Sequence, residues 1–157
     1  TRFENIWHHG DFVARTSNNG FIVSGRSDAT LNPGGVRIGT SEIYQQVENI
    51  DFITEGLVVG QNYNDDVRII LFVTTKNDED LDDEKIKLIK NRVRKNCSPK
   101  HVPAIIIKAP EIPRTKSGKI VELAVRKLIN GQELNNKEAI ANPESLDFFK
   151  NLSQLKI

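Results

Sequence analysis

Residues 56–75 read GLVVGQNYNDDVRIILFVTT, the most strongly apolar part of the chain. Two apolar runs rich in β-branched residues, 56–60 and 67–75, flank a short polar stretch. Such runs favour β-strands, and their closeness along the chain predicts that the two strands pair. Upstream, residues 11–24 (DFVARTSNNGFIVS) alternate apolar and polar side chains around Asn19-Gly20. An Asn-Gly pair there predicts a β-hairpin closed by a type I′ turn.

The rest of the chain alternates helices and strands only in part. Residues 28–39 predict a second, shorter hairpin turning at residues 32–35, and Thr40 is expected to cap a helix that runs to residue 50. Residues 82–96 predict an amphipathic helix whose acidic start and basic end complement the helix dipole. A strand at 104–108, a loop at 113–119 and a last helix at 120–130, ended by Gly131, complete the order. The order favours a small α+β domain.

Composition excludes several classes of protein. The 157 residues are 38% hydrophobic and 27% charged, which suits a domain with a real core. The net charge is +1 and only 6% of residues are aromatic, so a nucleic-acid surface is not expected. No apolar run is long enough for a membrane span, and residues 1–12 do not resemble a signal peptide. The lone Cys97 predicts no disulfide framework and a cytoplasmic location.

The segment PRTKSGKI, residues 113–120, places three cations and a glycine in eight residues. It is not a P-loop, because Pro113 stands where the first glycine belongs and Ile120 follows the lysine. Zinc ligation is not expected, since the usual Cys and His spacings are missing and the adjacent His8, His9 and Asp11 would point to opposite strand faces. The segment GGVRIG also lacks the dinucleotide-binding glycine pattern.

Three segments in order carry a resemblance to a known family: WHHGDF at 7–12, SGRSDATLNPGGVRIGTSEIY at 24–44, and PRTKSGKI at 113–120. Their order and spacing resemble the adenylate-forming family of acyl-CoA synthetases, luciferases and nonribosomal adenylation domains. The resemblance implies a two-step ligase. It would form an acyl-adenylate from ATP and a short carboxylic acid, and then transfer the acyl group to coenzyme A with release of AMP.

The resemblance also implies an architecture. The fold class expected is α+β, the small mobile C-terminal domain of an adenylate-forming enzyme. A central three-stranded sheet would be flanked by helices and joined by a two-stranded hairpin. Residues 1–27 would be the last strands of a large N-terminal domain, and residues 28–157 the mobile lid with a C-terminal extension. The chain has no methionine and begins at Thr1, so it is expected to be part of a longer polypeptide.

Each residue role below is implied by a match to the family's motifs. Lys119 matches the lysine of the adenylation step, and a compact ammonium can contact carboxylate and phosphate together. Asp11 matches the residue that accepts hydrogen bonds from the ribose hydroxyls, and Arg26 the arginine on the same side of the nucleotide. In the same loop as Lys119, Arg114 has a weaker claim.

The second motif implies further roles. Asp28 matches the hinge about which the small domain rotates. Gly34 and Gly35 match a loop that faces the coenzyme A tunnel, and Arg37 would face the nucleotide phosphate or the coenzyme A side. Arg94 aligns with a residue that contacts the nucleotide of coenzyme A.

The partners expected are therefore the large domain of the same chain, a small carboxylic acid, ATP and coenzyme A, without nucleic acid or membrane. Mg²⁺ is expected with ATP in the full-length enzyme, not in this part. The part alone is expected to be inactive. The end of the chain is most similar to family members that activate acetoacetate, while acetate, propionate and other short acids stay open. The alternatives are a non-catalytic interaction or regulatory module of the same fold and, more weakly, a nucleic-acid binder.

Overall fold

The computed structural model describes residues 4–6, 10–27, 29–134 and 137–156, and for Phe12 and residues 24–26 it describes the backbone only. Its helices and strands are β1 Asp11–Arg15, β2 Phe21–Arg26, α1 Thr40–Val47, β3 Ile53–Tyr63, β4 Asp66–Thr75, α2 Asp83–Asn96, β5 Ile105–Lys108 and α3 Glu122–Ile129. The expected fold class is confirmed: a three-stranded sheet with helices, and a separate two-stranded hairpin. Within the described ranges, no helix has the length and apolar character that a membrane crossing requires.

The sheet has the order β3-β4-β5, with β4 at its centre. Strands β3 and β4 are antiparallel, and β4 and β5 are parallel. Residues 69–73 of β4 are buried on both faces of the sheet, because neighbouring side chains of a strand point to opposite sides. This burial explains why the run from residue 67 to 75 is apolar almost without interruption.

Helices cover both faces of this sheet. On one face, Ile43 and Val47 of α1 and Ile89 and Val93 of α2 belong to one buried cluster with β4. On the other face, Val125 of α3 packs in a second cluster against the sheet. The sheet is thus the middle layer of three. Because both of its faces are covered, loops can present side chains only at the ends of its strands.

The C-terminal segment, residues 137–156, completes the second face. Phe149 is fully buried, and its ring meets the ring of Phe72 edge to face at 4.8 Å between centroids. Near the end of the segment, the buried amide of Gln61 donates to the Leu155 carbonyl at 2.8 Å and accepts from Arg68 at 2.8 Å. The segment is therefore an integral layer of the fold.

The β1–β2 hairpin forms as expected, but the predicted type I′ turn is wrong. Arg15 pairs with Phe21, and only Asn19 between them has a positive φ, of 59°. The Thr16 N–H donates to the Gly20 carbonyl at 2.9 Å, so residues 17–19 form a three-residue loop. Such a loop needs one left-handed residue, and asparagine tolerates that conformation. Two consecutive positive φ values, the mark of a type I′ turn, occur instead at Asn64 and Asp65, which close the β3–β4 hairpin.

The predicted helix ends hold within a few residues. Thr40 is not the cap of α1: Gly39 is, and its N–H donates to the Glu42 carboxylate at 3.2 Å. Asp82 caps α2 by accepting the N–H of Lys85 at 2.8 Å, next to the predicted start. Helix α3 begins at Glu122 rather than residue 120, because Ile120 is drawn into a β-bridge with the preceding loop.

Candidate functional site

The loop that carries Lys119 is a tight turn between Arg114 and Ile120, which form an antiparallel bridge. The Gly118 N–H donates to the Thr115 carbonyl at 2.8 Å. The Lys119 N–H donates to Thr115 Oγ1 at 3.1 Å. Gly118 has φ of +80°, a left-handed conformation that favours glycine. The turn thus fixes the backbone of Lys119 at its outer edge.

The side chain of Lys119 is exposed. Within the part of the chain that the structure describes, no hydrogen bond or ion pair holds its ammonium. A solvated, unpaired ammonium on a flexible stem can move to a ligand without breaking an internal contact. The geometry of the turn is therefore compatible with the role that the motif implies for Lys119.

Arg114, in contrast, is occupied within the loop. Its guanidinium donates to the Gly118 carbonyl at 2.6 Å and pairs with Glu55 Oε1 at 2.5 Å. A planar guanidinium can bridge two such acceptors in one geometry, which a lysine cannot. Arg114 thus ties the loop to the start of β3.

The glycine loop of the second motif is a short 3₁₀ turn, Pro33–Gly35, closed by two backbone hydrogen bonds of 2.9 Å between Leu31 and Ile38. The Gly34 N–H donates to both carboxylate oxygens of Asp66, at 2.8 and 3.0 Å. These hydrogen bonds from Gly34 are the main reason why the pKa of Asp66 lies below its usual value. The hydrogen bond from the Val67 N–H and the positive charge of Lys100 lower the pKa further.

The two glycines differ in the space around them. A Cβ at Gly34 would lie 2.6 Å from the Nζ of Lys100, while a Cβ at Gly35 would meet nothing within 4 Å. Both residues have positive φ, of 57° and 78°. The Gly34 N–H is bonded to Asp66 within the domain, whereas Gly35 borders open space.

These two loops lie at opposite ends of β3. Arg114 ties the Lys119 loop to Glu55, near the start of β3, and Asp66, opposite Tyr63 at its other end, holds the glycine loop. Glu55 and Tyr63 are eight residues apart on the strand. At about 3.3 Å per residue, the two anchors are therefore about 25 Å apart. The two loops are thus held at well-separated points of the domain.

The remaining predicted residues are spread over other elements. Asp11, half-buried, begins β1 and is paired in register with Arg26 at the end of β2. The backbone thus brings these two predicted nucleotide ligands together. Arg37 follows the glycine loop and is exposed, and Arg94 is exposed in the last turn of α2. Asp28, the predicted hinge, lies outside the described residues.

The sequence did not indicate the contacts between the Lys119 loop and the C-terminal segment. Thr115 forms an antiparallel bridge with Ile140, and the Arg114 N–H donates to Asn142 Oδ1 at 2.9 Å. These partners lie more than twenty residues away along the chain, and no local pattern links them. Among the described residues, no group of three or more His, Cys, Asp or Glu side chains could hold a metal ion.

Known proteins match this chain over its length. It is 57% identical over 155 residues to an acetoacetyl-coenzyme A synthetase from Rhizobium meliloti, a match that covers 99% of this chain and 24% of that enzyme. An acetoacetyl-CoA synthetase structure from Streptomyces lividans superimposes with a TM-score of 0.83 at 38% identity, over 94% of this chain and 22% of that one. A benzoate CoA ligase structure from Burkholderia xenovorans matches with a TM-score of 0.66 at 26% identity, over 74% and 23%. No family profile matches the chain.

Fold and comparisons together confirm the predicted resemblance. The molecule has the fold of the C-terminal domain of adenylate-forming enzymes. In sequence it is homologous to the C-terminal part of acetoacetyl-CoA synthetases and spans about a quarter of their length.

Proposed function

We propose that this chain is the C-terminal part of an acyl-CoA synthetase that works in two steps. In the first step, a carboxylate oxygen attacks the α-phosphorus of ATP, and the bond to pyrophosphate breaks. In the second step, the sulfur of coenzyme A attacks the carbonyl carbon of the acyl-adenylate, and AMP leaves. A large N-terminal domain of the same polypeptide would supply the acid pocket and the phosphate loop. The chain alone would then be inactive.

In the first step, Lys119 would contact both the attacking carboxylate and the α-phosphate. Two anions must approach each other there, and a positive charge that strengthens its contacts as charge moves to pyrophosphate lowers the barrier. Asp11 would accept hydrogen bonds from the ribose hydroxyls, and Arg26 would contact the same side of the nucleotide. Carboxylate oxygens suit that role because they accept without a competing donor.

In the second step, the glycine loop would face the reacting thioester. Gly35, with open space around it, suits a narrow passage for the pantetheine arm. Arg37 and Arg94 would contact the phosphates of the nucleotide or of coenzyme A. Both are exposed cations, as such a role needs.

One observation carries this proposal: the Lys119 loop and the glycine loop are anchored about 25 Å apart, at opposite ends of β3. A domain that serves two steps with two such loops would turn between them, so that each loop in its turn faces the same nucleotide site. The hinge would be Asp28, at the boundary between residues 1–27, the last strands of the large domain, and residues 28–157, the lid. Bonds inside the lid, such as Arg114–Glu55, would move with it.

Acetoacetate is the proposed acid, and the similarity to acetoacetyl-CoA synthetases supports it over acetate, propionate and other short acids. Mg²⁺ would accompany ATP in the full-length enzyme, and this part of the polypeptide would take no part in holding it. A cytoplasmic location stays a prediction.

The test uses the full-length enzyme. Acid-dependent exchange of labelled pyrophosphate into ATP would be measured with acetoacetate, acetate, propionate and butyrate as single acids. We expect exchange with all the acids that fit the pocket and the highest kcat/KM with acetoacetate. A higher value with another acid would overturn the substrate. An absence of exchange with every acid would overturn the reaction and favour a non-catalytic module.

A further inference from the structure

The loop that carries Lys119 is the middle part of a small three-stranded ladder. The part before the turn, residues 113–115, pairs on one side with the part after it, residues 119–120. There the Thr115 N–H donates to the Lys119 carbonyl at 2.8 Å. On the other side it pairs with residues 139–142 of the C-terminal segment. There the Ala141 N–H donates to the Arg114 carbonyl at 2.8 Å, and the Lys116 N–H donates to the Ala139 carbonyl at 3.2 Å.

Asn142 closes this ladder with its side chain. Its Oδ1 accepts the N–H of Arg114 at 2.9 Å, and its Nδ2 donates to the Ile112 carbonyl at 3.2 Å. The half-buried amide therefore holds the backbone on both sides of Pro113, which has no N–H of its own to contribute. These two bonds join the C-terminal segment to the residues just before the turn.

The position of the Lys119 ammonium depends on this backbone. The side chain has no partner among the described residues that would hold it in place. An error of about 1 Å in the position of a reacting group can cost on the order of 100-fold in rate. The hydrogen bonds that hold the backbone of the loop therefore also determine which positions the Lys119 ammonium can reach.

We infer that Asn142 is a positioning residue for the first step, acting through the backbone of the Lys119 loop. The inference rests on the proposed function, because it assigns Lys119 to adenylate formation. It gives the C-terminal segment a role in the reaction as well as in the core. The second step uses the glycine loop at the other end of β3, so Asn142 is not required there.

The experiment separates the two steps in the full-length enzyme. Acid-dependent pyrophosphate exchange reports the first step, and thioester formation from supplied acyl-adenylate and coenzyme A reports the second. For Asn142→Ala we expect exchange to fall on the order of 10- to 100-fold, with the second step within about twofold of wild type. Amide hydrogen exchange, followed on the same protein, should show faster exchange at Arg114, whose N–H loses its acceptor.

Asn130→Ala is the matched control. The amide of Asn130 also bridges backbone groups, donating to the Arg126 and Gly60 carbonyls and accepting the Asn62 N–H at 2.8 Å, but it joins α3 to β3 away from the loop. We expect this variant to change both steps by the same factor. For Asn142→Ala, an equal fall in both steps, or an unchanged Arg114 amide, would overturn the inference. A wild-type enzyme without exchange would overturn the proposed function itself.

Discussion

At the scale of single residues, two cations of one loop behave differently. Arg114 bridges the Gly118 carbonyl and the Glu55 carboxylate, while the Lys119 ammonium is exposed. From the sequence, Arg114 and Lys119 differ only in their match to a family motif. The structure gives a physical difference between them: the Arg114 guanidinium stabilises the turn, whereas the Lys119 ammonium extends into solvent.

Tyr44 offers a test of a single buried hydroxyl. It donates to Glu122 Oε1 at 2.5 Å and accepts the Val58 N–H at 3.0 Å, which joins α1 to α3 and β3. Burial first, and the charge of Glu122 second, raise the pKa of Tyr44 well above its usual value. Tyr44→Phe removes the hydroxyl and leaves the Glu122 carboxylate and the Val58 N–H without this hydrogen-bond partner. We therefore expect the free energy of unfolding to fall by about 1–3 kcal/mol.

Chemical denaturation would measure this loss, with Tyr63→Phe as the control. The ring of Tyr63 lies 3.9 Å from the guanidinium carbon of Arg68, and that contact survives the loss of the hydroxyl. The control is expected to remain close to wild type. Equal stability of Tyr44→Phe and wild type would mean that the hydroxyl contributes nothing to joining the three elements.

At the scale of elements, the glycine loop should depend on pH through Asp66. Because the folded state lowers the Asp66 pKa below its usual 3.8, the ionised carboxylate contributes stability above that pH. That contribution is lost as the pH falls through the lowered pKa. Thermal unfolding midpoints from about pH 5 to about pH 2 should therefore fall more steeply for wild type than for Asp66→Asn.

Asp65→Asn removes the same charge one residue earlier and keeps the bonds to Gly34, so its pH dependence is expected to follow wild type. A slope for Asp66→Asn that equals the wild-type slope would show that the hydrogen bonds from Gly34 do not favour the ionised form.

The C-terminal segment should be required for stability as a layer of the core. Phe149 is fully buried against Phe72, so Phe149→Ala should lower the free energy of unfolding by about 3–5 kcal/mol. Phe148, the neighbouring residue of the same type, is only half-buried, and Phe148→Ala should cost less. Denaturation curves for the two variants give the comparison. A smaller loss at Phe149 than at Phe148 would contradict the packing.

Most elements could be predicted because their signals are local. The apolar runs of β3 and β4 and the helical spacing of α2 are patterns within one segment. The bounds of β4 and α2 lie within one residue of the predicted ones, whereas β3, predicted at residues 56–60, extends three residues further at each end. The type of the turn between β1 and β2 was not predicted correctly. Asn19-Gly20 has the favoured sequence for a type I′ turn, yet the Thr16 N–H donates to the Gly20 carbonyl, and Thr16 Oγ1 accepts the Gly20 N–H. These bonds close a three-residue loop instead. The sequence indicated the C-terminal segment only as an extension of the lid, because the residues that it packs against are distant in sequence.

At the scale of the whole molecule, the candidate site could be predicted only in part. Family motifs indicated Lys119 and the glycine loop, but not that their anchors, Glu55 and Asp66, lie at opposite ends of one strand. That arrangement depends on the register of β3 and β4 and on side-chain bonds between distant segments. Asn142 was missed for the same reason, because a polar residue in an irregular segment gives no local signal.

The two-ended arrangement has a consequence for the full-length enzyme. If the small domain presents Lys119 in one step and the glycine loop in the other, a change at either loop should affect one step and spare the other. A single fixed arrangement would couple the two steps, and changes at either loop would then lower both. Separate assays of the two steps therefore test the alternation of the two loops more directly than the overall rate does.

The most direct measurement is made on Lys119→Ala in the full-length enzyme, with Lys116→Ala, an exposed cation of the same loop, as the control. We predict that acid-dependent pyrophosphate exchange falls on the order of 100-fold or more in Lys119→Ala. Conversion of supplied acyl-adenylate to the thioester should stay within about twofold of wild type, and Lys116→Ala should keep both activities. Pyrophosphate exchange near the wild-type rate in Lys119→Ala would contradict the assignment of Lys119 to adenylate formation.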